Sequence, residues 1–463
     1  MPSLPFIFWL HIWFTAFALV ASAHTDVQSI AAERDAITES KRQDVLRKSS
    51  EDKLDIKQVV VTYISTVTVL EPASEPNSTR HREEKSRLLK RLQRNKGKWD
   101  STHPRYRLLT ALHGFYRYKE RNLAELERWR GLYKWVSKEQ RSLVESAVKY
   151  TNKLNSVEHL FEKNEVLAHA IVHQALKFYN IEMSELEDFI KDTEASGKQA
   201  DRTSVNQAMK HFVRDWAEDG LHERSAAFPC ILNALESMFP ARGEGDRPVR
   251  VLLPGAGLGR LAHDIAGLGG FEVTTNEWSS YMNLAYRYIE TLQTAHSATF
   301  RPFIDWWSHH ATTADLKRPI TFPDVPVNAS SVLLVEGDFT TVFQDQASAG
   351  QYDAIVTLFF IDTARNLISY LETIHRLLKP NRGTWINLGP LLYGSAPFVQ
   401  LSLDEIVDVC ERMGFEFLET DSACGEVTLE GRKVRGREVP YGFNERGLTK
   451  NAYQAQFWVA RRR

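Results

Sequence analysis

Between Glu84 and about Phe189 apolar residues return every third or fourth position, Leu108, Leu112 and Phe115, then Leu123, Leu126, Trp129, Leu132 and Tyr133, which predicts amphipathic helices almost throughout. A stretch bearing glycine, serine and charge, Lys191 to Ser204, separates them from a further helix that holds HFVRDW, residues 211 to 216. The pattern then changes. Val249, Val251, Leu252 and Leu253 make a short apolar run closed by Pro254 and Gly255, while Leu258, Leu261, Ile265 and Leu268 recur at helical spacing, so this segment reads strand, tight turn, helix. A second strand is expected over Phe271 to Thr275, a third in SVLLVEGDF (331 to 339) and a fourth in YDAIVTLFFIDTA (352 to 364), each with an acid at or just past its end. A helix with Leu367, Tyr370, Leu371, Ile374, Leu377 and Leu378 on its core face follows, and Pro380 and Gly383 stop it before a fifth strand. Strands alternating with helices predict an α/β fold, a mostly parallel sheet covered on both faces, with ligands at the carboxyl ends of the strands. Gly255, Glu277, Asp338 and Asp362 all fall at such ends.

The first eighty residues follow neither pattern. Phe6 to Val20 is almost wholly apolar and is followed by Ala21-Ser22-Ala23, so residues 1 to 23 resemble a cleavable secretory signal, although a positive start is missing. The run is short for a membrane span, which takes about 20 residues, and no stable span is expected. A retained anchor and a mis-assigned start are the alternatives. Export would make the sequons at Asn77 and Asn328 glycan acceptors. Residues 24 to 80 are polar, with a β-branched stretch at Val59 to Val69 and a linker-like cluster from Pro72 to Thr79, and low order is expected there. The expected organisation is therefore a leader (1–23), an extension (24–80), a helical region (84–204) and a catalytic α/β domain (205–463).

Composition excludes more than it suggests. With 463 residues, 43% of them hydrophobic and 25% charged, the chain can bury a large core, and a net charge of −1 supplies no global field for nucleic acid or an anionic membrane. The basic cluster Arg80 to Lys98 is interrupted by Glu83 and Glu84 and reads as a solvated helix face. Cys230, Cys410 and Cys424 lie far apart without ligand spacing, so they read as buried or free thiols, neither a zinc site nor a disulfide framework.

The glycine loop names the class of cofactor. Gly255, Gly257 and Gly259 let the main chain turn sharply and come close to a ligand beside a helix N-terminus, and Glu277 stands where a carboxylate accepts from both hydroxyls of a ribose. A dinucleotide fingerprint, G-x-G-x-x-G, places its third glycine where Arg260 stands; here that glycine comes one residue early. The spacing favours S-adenosyl-L-methionine, which needs close backbone approach more than bare N–H groups for a pyrophosphate. A nicotinamide oxidoreductase is the rival of different chemistry.

P-G-A-G-L-G, the acid after the second strand, EGDF and LLKPNRG together resemble the class I S-adenosylmethionine-dependent methyltransferases. FVRDW, LLPGAGLGRLAHDIA, NEWS, RPITFPDV, FFIDTARN and WINLGPLLY, in that order from about residue 105 to the C-terminus, are similar to the carnosine N-methyltransferase family. The resemblance implies a class I methyltransferase, Rossmann-like sheet behind an N-terminal helical region. For the cofactor it implies His211, where the family has glutamine, Arg214, Gly255, Gly257, Glu277, Asp338, Phe339 and Ala354. For the substrate it implies Asp362 and Tyr453, with Gly394 standing where the family has histidine.

Each residue type suits its implied task. Arg214 can fork onto the donor's carboxylate, Asp338 can accept from the adenine amino group, and Phe339 offers a flat wall to the purine. Asp362 is the candidate catalytic residue: by accepting the far ring N–H of an imidazole it would fix the tautomer and stabilise the imidazolium that forms. Its competing role is a helix N-cap before TARNLISYL. Tyr453 would position the ring or the peptide. The implied reaction is methyl transfer to an imidazole nitrogen of a small histidine-containing dipeptide, carnosine to anserine, with no metal, no nucleic acid and a possible homodimer. Methylation of protein histidines and donor binding without turnover remain as alternatives, since Gly394 removes a family side chain. The resemblance also implies a cytosolic or nuclear setting, in conflict with the leader.

Overall fold

The computed structural model describes residues 78–463 apart from 245, 246 and 395; the leader, Asn77 and almost all of the expected extension lie outside the described residues. The five strands expected from the apolar runs form, β1 (Val249–Pro254), β2 (Phe271–Glu277), β5 (Val332–Glu336), β6 (Ala354–Leu358) and β7 (Thr384–Gly389), and six that the pattern did not announce join them, β3 (Ala298–Phe300), β4 (Ile320–Phe322), β8 (Phe415–Phe417), β9 (Glu426–Val427), β10 (Arg435–Pro440) and β11 (Ala452–Arg462). Apart from the β3–β4 hairpin they build one sheet in the order β5-β2-β1-β6-β7-β11-β10-β9, with β8 also on β11. The five strands from β5 to β7 are parallel, Val251 lying between Val273 of β2 and Ala354 of β6. β11 returns antiparallel against β7, setting Trp458 opposite Asn387.

Alternation along β1 divides the core. Leu252, with Ile355, Trp385 and Trp458, packs under the helices at 367–377 and 403–412. Val251 and Leu253, with Ala354, Val356 and Ile386, pack under those at 221–238 and 260–267. The chain reverses its direction of travel across the sheet between β1 and β6, so the carboxyl ends of these two strands open a crevice at the topological switch point.

The expected break between the helical region and the α/β part is a short turn. The 183–195 helix runs through Lys191, and the next helix begins at Arg202, capped by Asp201, whose side chain accepts from the Ser204 N–H at 3.0 Å. Residues on both sides share one core: Phe115, Phe161 and Ile171 cluster with Phe212, Leu258, Tyr286 and Phe300. The described residues accordingly form one compact unit.

The cysteine expectation needs correcting. Cys230, on the 221–238 helix, and Cys424, just before β9, form a disulfide across 194 residues of sequence, with a Cα–Cα distance of 5.6 Å that suits such a bond. Spacing along the chain gave no sign of it, because the sheet between them creates the proximity. Cys410 alone is a free, buried thiol. Among the described residues no helix is long and apolar enough to cross a membrane.

Candidate active site

The glycine loop after β1 turns through three left-handed residues, Gly255, Gly257 and Gly259. A Cβ on Gly255 would stand 2.3 Å from the ring of Phe360, so strand end and ring can be neighbours only if this residue has no side chain. The loop is held from two sides. Glu277, at the end of β2, accepts from the Gly257 N–H at 3.0 Å and from the Ser279 N–H at 2.7 Å. From the 202–216 helix, Asp215 accepts from the Leu258 N–H at 3.1 Å, and the Trp216 indole donates to the Leu258 carbonyl at 2.8 Å. Burial pushes the Glu277 carboxyl upward, and the backbone N–H groups of Ser279, Gly257 and Trp278 with the charge of Arg107 counter it. Arg260, which stands where a dinucleotide fingerprint has its third glycine, pairs with Asp264 at 2.8 Å and with Asp324, tying the helix start to a distant loop.

The same 202–216 helix carries Arg214 into the crevice. Its Nε donates to Glu223 at 2.8 Å, and its guanidinium lies 3.7 Å from the centre of the Tyr441 ring and 4.0 Å from that of Phe443. The other oxygen of Glu223 accepts from the backbone N–H groups of Gly442 and Phe443, at 2.9 and 2.6 Å, so one carboxylate fixes both the arginine and the segment after β10. Nη2 of Arg214 is buried without a hydrogen-bond partner. So is Nδ1 of His211, one turn earlier and 3.7 Å from Asp215. Burial pushes the His211 pKa down, so this ring is neutral at physiological pH. Two buried polar groups without partners, aimed into a crevice lined by Gly255, Ala256 and Gly257, fit a ligand that brings a carboxylate and further polar atoms to this end.

Across the crevice β6 ends at Leu358, and Phe359 takes φ +51°, a left-handed backbone that costs a bulky residue energy. The turn aims Phe359 at Tyr441, stacked at 4.9 Å, and at Tyr453, edge-on at 5.9 Å. Asp362 follows in a single 3-10 turn, Ile361–Thr363. It does not cap the next helix, which starts at Leu367 after Asn366. Its Oδ1 is buried with no partner, and burial pushes its pKa up to about 7. Tyr453 and Tyr393 both feel its charge, and among the described residues no cation offsets its burial. Around Gly394 an added Cβ would meet nothing within 4 Å: the histidine position of the family is open space here.

The remaining implied positions divide. Asp338, exposed beyond β5, caps the short 339–342 helix, its Oδ1 accepting from the Thr340 N–H at 2.8 Å. Phe339 is buried with its ring edge-on to Phe360 at 5.5 Å and to Tyr370 at 5.7 Å. Ala354 does not reach the crevice: it is the first residue of β6, fully buried between β1 and β7, at the opposite end of the strand from the ligand-binding side. Sequence reasoning passed over Asp215, although it stands inside the quoted HFVRDW, and also Glu223, Phe359, Tyr441 and Phe443. Only Asp215 and Phe359 lie inside segments that the pattern had singled out.

A parallel sheet with β5-β2-β1-β6-β7 order, closed by an antiparallel return, with a glycine loop after β1 and an acid after β2, defines an S-adenosylmethionine-dependent methyltransferase of the class I fold. The model for the carnosine N-methyltransferase family matches residues 191–463, and the chain belongs to that family. Carnosine N-methyltransferase of Schizosaccharomyces pombe is 31% identical over 339 residues, 69% of this chain and 85% of the yeast protein. That of Mus musculus is 34% identical over 273 residues, 57% of this chain and 64% of the mouse protein, so the match spans less than two thirds of the mouse relative. Among solved structures, a putative methyltransferase in complex with the Trm112 activator of Haloferax volcanii superposes with a TM-score of 0.33 at 14% identity, over 56% of this chain and 97% of that one.

Proposed function

We propose that this chain transfers a methyl group from S-adenosyl-L-methionine to a ring nitrogen of a histidine-containing dipeptide, carnosine to anserine. What carries the reading is Asp362, whose carboxyl oxygen is buried without a partner just past the end of β6, close enough for its charge to act on Tyr453 and Tyr393, three residues after Phe359, which itself lines the glycine-loop crevice. The unpartnered Nη2 of Arg214 suits the donor's carboxylate, Glu277 its ribose, and Asp338 its adenine amino group. When bound, S-adenosylmethionine supplies a methyl made electrophilic by the sulfonium that carries it.

The protein's own work is binding, orientation and charge. Neutral imidazole is already a nucleophile at physiological pH, so no strong base is required of the site. Orientation within the crevice is worth effective molarities of roughly 10⁵ to 10⁸ M, the largest contribution available here. Asp362 accepts the N–H of the ring nitrogen that does not react, and in doing so keeps the reacting nitrogen free of its proton. As that ring becomes cationic the carboxylate balances it, a charge-assisted bond worth about 1.5 to 3 kcal/mol. Phe359, Tyr441 and Tyr453 give the ring an apolar box, and the Tyr453 hydroxyl orients the peptide.

The open space at Gly394 favours a second reading, in which the histidine belongs to a larger peptide or a protein. Carnosine and histidine-containing protein acceptors offered together at equal concentration, with labelled donor, separate the two. Preferential labelling of carnosine supports the proposal, and labelling of protein histidines alone overturns it.

A further inference from the structure

The donor site as described lies wholly within the α/β part, yet one side chain from the N-terminal helices reaches it. Arg107, on the 104–116 helix, lays its guanidinium 3.8 Å from the centre of the Trp278 ring and donates from Nη2 to the Trp278 carbonyl. Trp278 directly follows Glu277 and is 56% exposed, so the indole has little other support. The segment Glu277-Trp278-Ser279 is the turn by which β2 hands the chain to the 280–289 helix, and Glu277 holds it closed on the Ser279 N–H. Arg107 is half-buried, which lowers its pKa, while the carboxylates of Asp338 and Glu277 are near enough to hold its charge in place. The guanidinium therefore sits among three parts of the donor site: the ribose acid, the adenine acid, and the turn between β2 and its helix.

Resting on the donor-site reading above, we infer that Arg107 is a positioning residue for S-adenosylmethionine, clasping Trp278 so that the Glu277 turn is set before the donor arrives. Arg107 takes no part in methyl transfer and makes its contribution through Trp278 and Glu277. The binding site is then incomplete without the helical region, which agrees with the single core that joins the two. A guanidinium on an indole face is worth roughly a 3- to 30-fold change in affinity, depending on how much water the contact excludes.

The test uses the full chain and isothermal titration with S-adenosylmethionine. Arg107→Gln is expected to weaken donor binding roughly 3- to 30-fold while leaving the acceptor KM, and kcat at saturating donor, as in the parent. Arg107→Lys should fall between, since it keeps the charge but cannot both stack and reach the carbonyl. Trp278→Ala removes the other half of the clasp, and because both halves form one device the double variant should bind no more weakly than the worse single one. Without donor present, hydrogen exchange of the peptide spanning 277–279 should quicken in Arg107→Gln and stay parental in Arg128→Gln, a surface arginine paired with Glu125 and Trp129. Parental affinity in a folded Arg107→Gln, or strictly additive losses in the double variant, would overturn the inference. A parent that binds no donor would instead overturn the donor-site reading, and the exchange comparison would still decide whether the clasp exists.

Discussion

Replacing Asp362 by asparagine should make the protein slower and more stable at once. In the folded chain burial raises this carboxyl from its ordinary 3.8 to about 7. The folded state therefore holds the proton more tightly than the unfolded chain, and stability falls as pH rises between those two values. Below about pH 4 both states are protonated and the residue costs nothing; above about pH 7 the full penalty is present. Three units correspond to about 4 kcal/mol as an upper bound, and screening by solvent at the crevice rim leaves about 1–2 kcal/mol. Asp362→Asn, uncharged and of the same shape, should raise the melting temperature at pH 8 by a few degrees, and the gain should shrink to nothing by about pH 4. Turnover should move the other way. Asparagine still accepts the ring N–H but carries no charge to balance the imidazolium, so the single-turnover rate should fall roughly 10- to 150-fold with donor affinity unchanged. In the parent, kcat/KM should decline as pH falls below about 7, as the carboxylate takes up its proton. Calorimetric melting at pH 4, 6 and 8 together with rapid-quench kinetics checks all of this. Parental turnover in Asp362→Asn, or a variant no more stable than the parent at pH 8, would refute the reasoning.

Gly255→Val should abolish donor binding, because even a Cβ at this site would lie 2.3 Å from the Phe360 ring, and Glu277→Ala should weaken it by losing both the ribose acceptor and the Gly257 anchor; titration of folded variants checks both. Thiol titration in denaturant should find one free cysteine before reduction and three after, and replacing Cys230 and Cys424 by alanine should cost about 2–4 kcal/mol of stability in chemical denaturation. For the leader the proposal is export: protein from a eukaryotic host should begin near His24 and carry glycan at Asn77, with the exposed Asn328 as a second acceptor, whereas intact Met1 in a cytosolic fraction contradicts it.

The parts of the fold that could be read in advance are those set by local chemistry. Val249 to Gly267 is strand, turn and helix because apolar runs, glycines and helical spacing are all local, and Asp362 stands past a strand end for the same reason. What escaped depends on the sheet bringing distant segments together. Glu223 belongs to the site only because β10 ends beside it, and Tyr441 and Phe443 only because β10 and β11 return across β7. The disulfide is the same case, since neither Cys230 nor Cys424 has a neighbour in sequence that announces the other. Asp338 and Phe339 show the converse, in that a resemblance can supply a role, while the packing around each also serves the local structure, a helix cap and a core ring. Ala354 marks where transfer by resemblance ran ahead of geometry, because a residue at the start of a parallel strand cannot face a ligand at its end.

The central claim is transfer of a methyl group to an imidazole nitrogen of a small peptide. The most direct measurement incubates the full chain with S-adenosylmethionine labelled with carbon-13 in its methyl group and with carnosine, then locates the label by NMR and mass spectrometry. The account predicts one labelled methyl on a ring nitrogen of the dipeptide, formed at a rate that falls in Asp362→Asn. Donor binding with no label on any imidazole, or label on the amino or carboxyl group of the dipeptide, would contradict it.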